Sequence, residues 1–306
     1  MSSADVQAAR LGPVAARVAL GRIVIGQGFL ELQRTYTLSG YLIAWLLRVA
    51  GQVLFFGVIG RTFGGAEGAR YLVIGTAVGL ILLETMLVVL TTVMDRNLGT
   101  LVMLVATPSA PADVFITRGL QWVLSATFSS TLALLVMPAL LGVHLPWTTT
   151  LAAVPVLACV ALACSAYAAA LSSFVLRAPS ATWLVINFGY LLVIAFVGVA
   201  VPVSFWPGWL QTITEILPVR HGLDAIRALY AGSSLPDVLP DAGLELLVAA
   251  MWVVAARGVY RLVIDRMRRG GQLDLQTCGG QRDRVRQRIQ LWFAAVRGSA
   301  GGGAAR

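Results

Sequence analysis

The chain has no lysine, and all 23 of its lysine-or-arginine positions are arginines. A P-loop needs a lysine to reach the β- and γ-phosphates of a nucleotide, so this sequence carries none. Histidine is nearly as scarce, with His144 and His221 alone, and the cysteines are Cys159, Cys164 and Cys278. Donors so few and so scattered do not make a metal site. Cys159 and Cys164 share one apolar run and read as small core residues, a common fate of free cysteine. Charged residues make up only 12% of the chain against 58% hydrophobic, and the mean hydropathy is +0.81. A water-soluble domain of that composition would have no polar surface to present. No catalytic residue, no internal repeat of the inverted-transporter kind and no cleaved signal peptide is read from the chain.

What is present is long apolar runs. Residues 37–60, 71–94, 114–142, 150–176, 181–201 and 242–264 each meet the ~20 residues a helix needs to cross ~30 Å of hydrocarbon. Helices satisfy their own backbone hydrogen bonds in lipid, so the expected fold is an all-α integral membrane protein with six transmembrane helices. The chain divides into an amphipathic N-terminal segment, 1–36, a membrane domain, 37–264, and a basic tail, 265–306. In the first segment Val14, Val18, Ile25, Phe29 and Leu32 fall on one helical face, as an interfacial helix requires. A cytosolic extension of the first span is the alternative. In the tail, Val285, Ile289, Trp292, Phe293 and Val296 oppose Arg282, Arg284, Arg286 and Arg288, a pattern suited to anionic headgroups. The end of the tail is expected to be disordered.

Arginine placement orients the spans. With the N-terminus inside, Arg10, Arg17, Arg22, Arg34, Arg96, Arg118, Arg177 and every arginine from Arg257 onward are cytoplasmic. Arg61, Arg70, Arg220 and Arg227 then lie outside. Both termini are expected in the cytoplasm of a multi-pass protein of the inner or plasma membrane. Arg48 and Glu84 remain inside the first two spans, each about eleven residues, or ~16 Å, from the same membrane face. Matched depth on antiparallel helices points to a mutual ion pair. The other reading has Glu84 facing a transport path and recognising a cation.

Two segments between spans are more specific. After the second span comes Asp95-Arg96-Asn97-Leu98-Gly99-Thr100-Leu101, then Leu104 and Ala106-Thr107-Pro108. A polar group ends the helix, a glycine permits a turn, and a short amphipathic run stops at proline. Before the last span, Pro202, Phe205, Trp206, Pro207, Trp209, Leu210, Gln211, Leu217, Pro218, His221, Ala225 and Arg227 punctuate a stretch too broken to span and too apolar for a solvated loop. A re-entrant pair of short helices over residues 203–227, dipping into the outer leaflet, fits that pattern.

Together the two segments resemble the permease subunit of ABC type-2 exporters, a group that includes daunorubicin-resistance, nodulation-factor, teichoic-acid and O-antigen permeases. The family pattern is acidic-Arg-x-x-Gly-Thr-Leu-x-x-Leu ending in Pro, matched by Asp95 to Pro108, and a Phe-x-Pro…Leu-Pro…His…Ala-x-Arg segment, matched from Phe205 to Arg227. Val102 departs from it, at a position often acidic in the family. The resemblance implies a half-transporter that pairs with a second copy or a sister permease. Separate ATPase subunits, carrying ATP and Mg, would dock on a coupling helix formed by Asp95, Arg96, Asn97, Gly99, Thr100 and Pro108. No cofactor is expected on this chain. A substrate path between the second and fifth spans would be lined by Leu83, Met86, Leu87, Asn187, Tyr190 and Ile194. Few of these make hydrogen bonds, which points to an amphipathic small molecule or lipid as cargo. A polysaccharide or glycolipid permease is the first alternative, and an ATP-independent channel or secondary transporter the second.

Overall fold

The computed structural model describes residues 38–97 and 119–269. Within them the chain is helical with no strand. The helices are α1, Leu38–Thr85; α2, Leu87–Asn97; α3, Leu120–Leu140; α4, Trp147–Val175; α5, Thr182–Phe196; α6, Gly208–Thr214; α7, Arg220–Ala231; and α8, Leu239–Arg269. Short 3-10 turns at Pro179–Ala181, Val203–Phe205 and Pro236–Val238 join some of them. The N-terminal segment, the stretch after Asn97 with Gly99, Thr100 and Pro108, and the tail after Arg269 lie outside the described residues.

Among the described residues five helical runs are long and apolar enough to cross a membrane: Leu46–Arg96, Leu120–Leu140, Trp147–Val175, Pro179–Phe196 and Pro236–Arg266. The first takes in two of the apolar runs read from the sequence, because α1 folds back on itself. The backbone leaves helical geometry at Gly65, with φ 62° and ψ −147°, a conformation in which a side chain would be strained. A methyl group on Gly60 would lie 2.5 Å from the carbonyl oxygen of Gly68. Residues eight apart on a straight helix stand about 12 Å apart, so the two arms run side by side.

The bundle is built around α4, which packs against α8, α3, α2, α7 and α1. Its buried face is mostly small: Ala161, Ala163, Cys164, Ser165, Ala168, Ala169, Ser172 and Ser173. Small side chains let neighbouring backbones approach, which is how helices gain contact where lipid tails compete for apolar surface. Cys159, four residues before the buried Ala163, is half-buried and free. Bulk comes from the surrounding helices, with Leu80, Ile81, Leu82, Leu134, Leu223 and Ile226 enclosed. A smaller cluster of Leu176, Ala256, Tyr260, Val263 and Ile264 fills the end of the bundle away from α6 and α7.

One apolar run stops short of its expected length. The fifth was read to residue 201, yet α5 ends at Phe196. Gly198 takes φ 94°, and its carbonyl oxygen turns outward to side chains of other elements instead of continuing the helix.

Candidate functional site

Four helical segments contribute polar side chains to one place inside the apolar bundle. Arg48 Nη2 donates to Glu84 Oε1 at 3.1 Å, and Ser125 Oγ donates to Glu84 Oε2 at 2.9 Å. Thirty-six residues separate Arg48 from Glu84; a straight helix would hold them ~54 Å apart. The reversal at Gly65 brings them together. Gln52, one turn after Arg48, donates from Nε2 to Tyr190 Oη at 3.0 Å, which ties the first arm of α1 to α5.

The path candidates separate around this cluster. Leu83 and Leu87 are half-buried on either side of Glu84, whereas Met86 is enclosed in the core at 1% exposure. Asn187 is exposed on α5, where its Nδ2 donates to Trp183 O at 2.7 Å. Ile194 is half-buried against Gly79. Of the six, the structure brings Tyr190 to the charged pair.

The second assembly is a helical hairpin of α6 and α7. Pro207 ends the preceding extended stretch, and its carbonyl oxygen accepts from Leu210 and Gln211 N–H at 2.9 and 3.1 Å. Pro202 precedes the short 3-10 turn before it and Phe205 ends that turn, its side chain exposed. Trp206 stacks edge-on against Phe196 and Phe205. After Pro218 the chain turns through Val219, whose φ of 82° is rare for a β-branched residue.

The last helix holds that turn. Glu245, fully buried, accepts from Val219 N–H at 2.7 Å and from Gly222 N–H at 2.9 Å, satisfying backbone donors that the start of α7 leaves open. Two turns further along α8, Trp252 Nε1 donates to Ile216 O at 2.9 Å. Trp252 lies ~20 Å along α8 from Leu239, so the hairpin turn reaches well down the length of that helix. His221 Nε2 sits 3.1 Å from Glu215 O, bracing the turn across its neck.

The far end of α7 is tied to α1. The Arg227 guanidinium lies 3.7 Å from the centre of the Tyr71 ring. Arg227 Nη2 and Tyr71 Oη both donate to Gly198 O at 2.8 Å. Gly75, one turn after Tyr71, has room for no side chain: a methyl there would lie 2.1 Å from Val199 O. Arg220 pairs with Asp224 one turn on. Burial raises the Asp224 carboxyl above its ordinary value, against the pull of Arg220 and Arg227.

At the opposite end of the bundle, Asp95 is buried and Arg96 donates from Nη1 to Leu176 O, just past α4. Ser172 and Tyr260 share a hydrogen bond of 2.5 Å beside it. The first residues of the Asp95–Pro108 motif are thus fastened to α4, and Asn97 closes α2.

A family model described as ABC-2 type transporter matches residues 29–230. The chain belongs to that family. No curated protein sequence matches it. It is a multi-pass membrane protein and a permease subunit of an ABC transporter. Permeases of this family work with separate ATPase subunits and are transport components, not catalysts themselves.

Sequence reasoning missed several residues that hold this permease together. Glu245 carried a signal, as an acid inside an apolar run. Its partners lie 23 and 26 residues back, beyond any local pattern. Ser125 and Gln52 look like ordinary polar interruptions until the fold brings Glu84 and Tyr190 to them. Tyr71 and Trp252 are aromatics within apolar runs, and nothing local marks their partners at Gly198 and Ile216.

Proposed function

We propose that this permease is one half of an ATP-driven exporter that moves an amphipathic small molecule or lipid out of the cytoplasm. Membership of the ABC-2 family over residues 29–230 carries the reading. With the reversal at Gly65 counted as a connection, the chain crosses the cell membrane six times and keeps both termini in the cytoplasm. Two copies, or this chain and a sister permease, pair around the path. ATP and Mg are bound by separate ATPase subunits that dock on the segment from Asp95 to Pro108. The anchorage of Arg96 to Leu176 O supports that assignment, because a segment that receives force needs a fixed base. The α6–α7 hairpin covers the external end of the path, and its ties to α8 at Glu245 and Trp252 support a lid held from below. Copurification with an ATPase encoded nearby, followed by screening compounds for stimulated hydrolysis, tests the reading. Stimulation by amphiphiles is the expected result, and stimulation by soluble sugars alone would replace the cargo class.

A further inference from the structure

We infer that Arg48, with Gln52 and Tyr190, forms a site within the membrane for the anionic group of an amphipathic molecule, a single phosphate or carboxylate on an apolar body. The inference rests on the permease reading and adds the charge of its cargo. Glu84 is unsuited to bind anything from outside: it is 1% exposed, and its two oxygens are taken by Arg48 and Ser125. Arg48 is the member of the pair that reaches the surface, with 34% of its side chain exposed.

A guanidinium has five N–H donors in a planar fork. Among the described residues the Arg48 fork donates to Glu84 from Nη2, while Nε is buried with no partner. Charge is therefore balanced by Glu84, yet most of the hydrogen-bonding capacity is unspent. The neighbouring group supplies another donor. Tyr190 Oη accepts from Gln52, which leaves its own O–H proton to give. Carboxylate and phosphate oxygens are acceptors, and a planar fork beside a hydroxyl donor matches them.

The surroundings fit the rest of the molecule. Leu47 and Leu191, next in sequence to Arg48 and Tyr190, are exposed apolar side chains. Arg48 lies eleven residues past the start of the first apolar run at residue 37, about 16 Å along a helix and so about half the depth of a ~30 Å hydrocarbon layer. Low polarity there strengthens a charge-assisted contact relative to water.

The test measures binding of dansylaminoundecanoic acid to the purified permease in dodecyl maltoside, with the methyl ester of the same probe as the uncharged control. The acid is expected to bind about tenfold more tightly than the ester. Glu84→Gln, which removes the compensating charge, should widen that preference. The paired change Arg48→Leu with Glu84→Leu should abolish it, bringing the affinities for acid and ester together. Where that pair does not fold, Arg48→Lys and Tyr190→Phe decide, each expected to narrow the preference several-fold. Displacement of the acid by dodecyl phosphate but not phosphatidylglycerol assigns the site to a free amphiphile, and displacement by both assigns it to membrane lipid headgroups as well. Equal affinity for acid and ester in the native chain, displacement by neither competitor, or a preference that survives loss of Arg48 overturns the inference. Because binding is read without an ATPase, a lost preference alongside intact ATPase capture removes only the charge assignment.

Discussion

Arg48 and Glu84 show how a single ion pair constrains an apolar bundle. A lone charge inside a membrane costs ~2.5–3.5 kcal/mol even on insertion scales. Here each side chain offsets the other's cost, and Ser125 donates a hydrogen bond to the acid's second oxygen. Breaking such a pair from one side leaves an uncompensated charge, whereas replacing both partners with apolar residues is often close to neutral. Arg48→Leu and Glu84→Leu should therefore each lower the yield of folded permease several-fold, and the double change should recover most of it. Fluorescence-detected gel filtration would measure this, and additive losses in the double variant would reject the coupling. A matched residue count from the ends of the two spans could be read from the sequence, because a helix converts residue number into distance. Which of the two charges reaches the surface could not. That depends on how α1, α3 and α5 pack, and no local pattern encodes it.

The α6–α7 hairpin is an element whose positions were legible and whose attachment was not. Prolines at 202, 207 and 218 mark its breaks because proline cannot continue a hydrogen-bonded helix. Nothing in those breaks announces that the donors at Val219 and Gly222 will meet a glutamate from α8. Removing that acceptor strands two buried N–H groups, at about 1–3 kcal/mol each. Glu245→Ala should lower the midpoint of thermal unfolding in detergent clearly, and Glu245→Gln less, since its amide oxygen still accepts. Equal effects would mean that charge rather than hydrogen bonding holds the turn. The hairpin's side of the membrane is tested separately. Gly208 is exposed and Gln211 half-buried on α6. With Cys159, Cys164 and Cys278 replaced, a cysteine at either position should react with an impermeant thiol reagent added to intact cells. Labelling confined to inside-out vesicles would invert the topology.

At the scale of the whole molecule, hydropathy located the apolar helices within a few residues, because length and polarity are what a bilayer selects. The run read as 150–176 is Trp147–Val175, and that read as 242–264 lies inside Leu239–Arg269. It did not show that α4 would be central, a role set by its small side chains rather than by its hydrophobicity. That arrangement bears on how force would cross the permease. Arg96 binds Leu176 O at the end of α4, and α2 follows directly on the arm of α1 that holds Glu84. A push on the segment after Asn97 would thus reach both the central helix and the intramembrane cluster. The sequence leads one to expect a turn at Gly99 in that segment, where a β-branched side chain would restrict the backbone. The permease alone should hydrolyse no ATP, having no lysine for a P-loop. The complex with its ATPase should hydrolyse ATP faster when amphiphile is added. Gly99→Val should lose that stimulation, either by releasing the ATPase or by leaving it bound and unresponsive, while the midpoint of thermal unfolding of the isolated permease stays unchanged. Hydrolysis by the single chain, or full stimulation in Gly99→Val, would place energy coupling elsewhere.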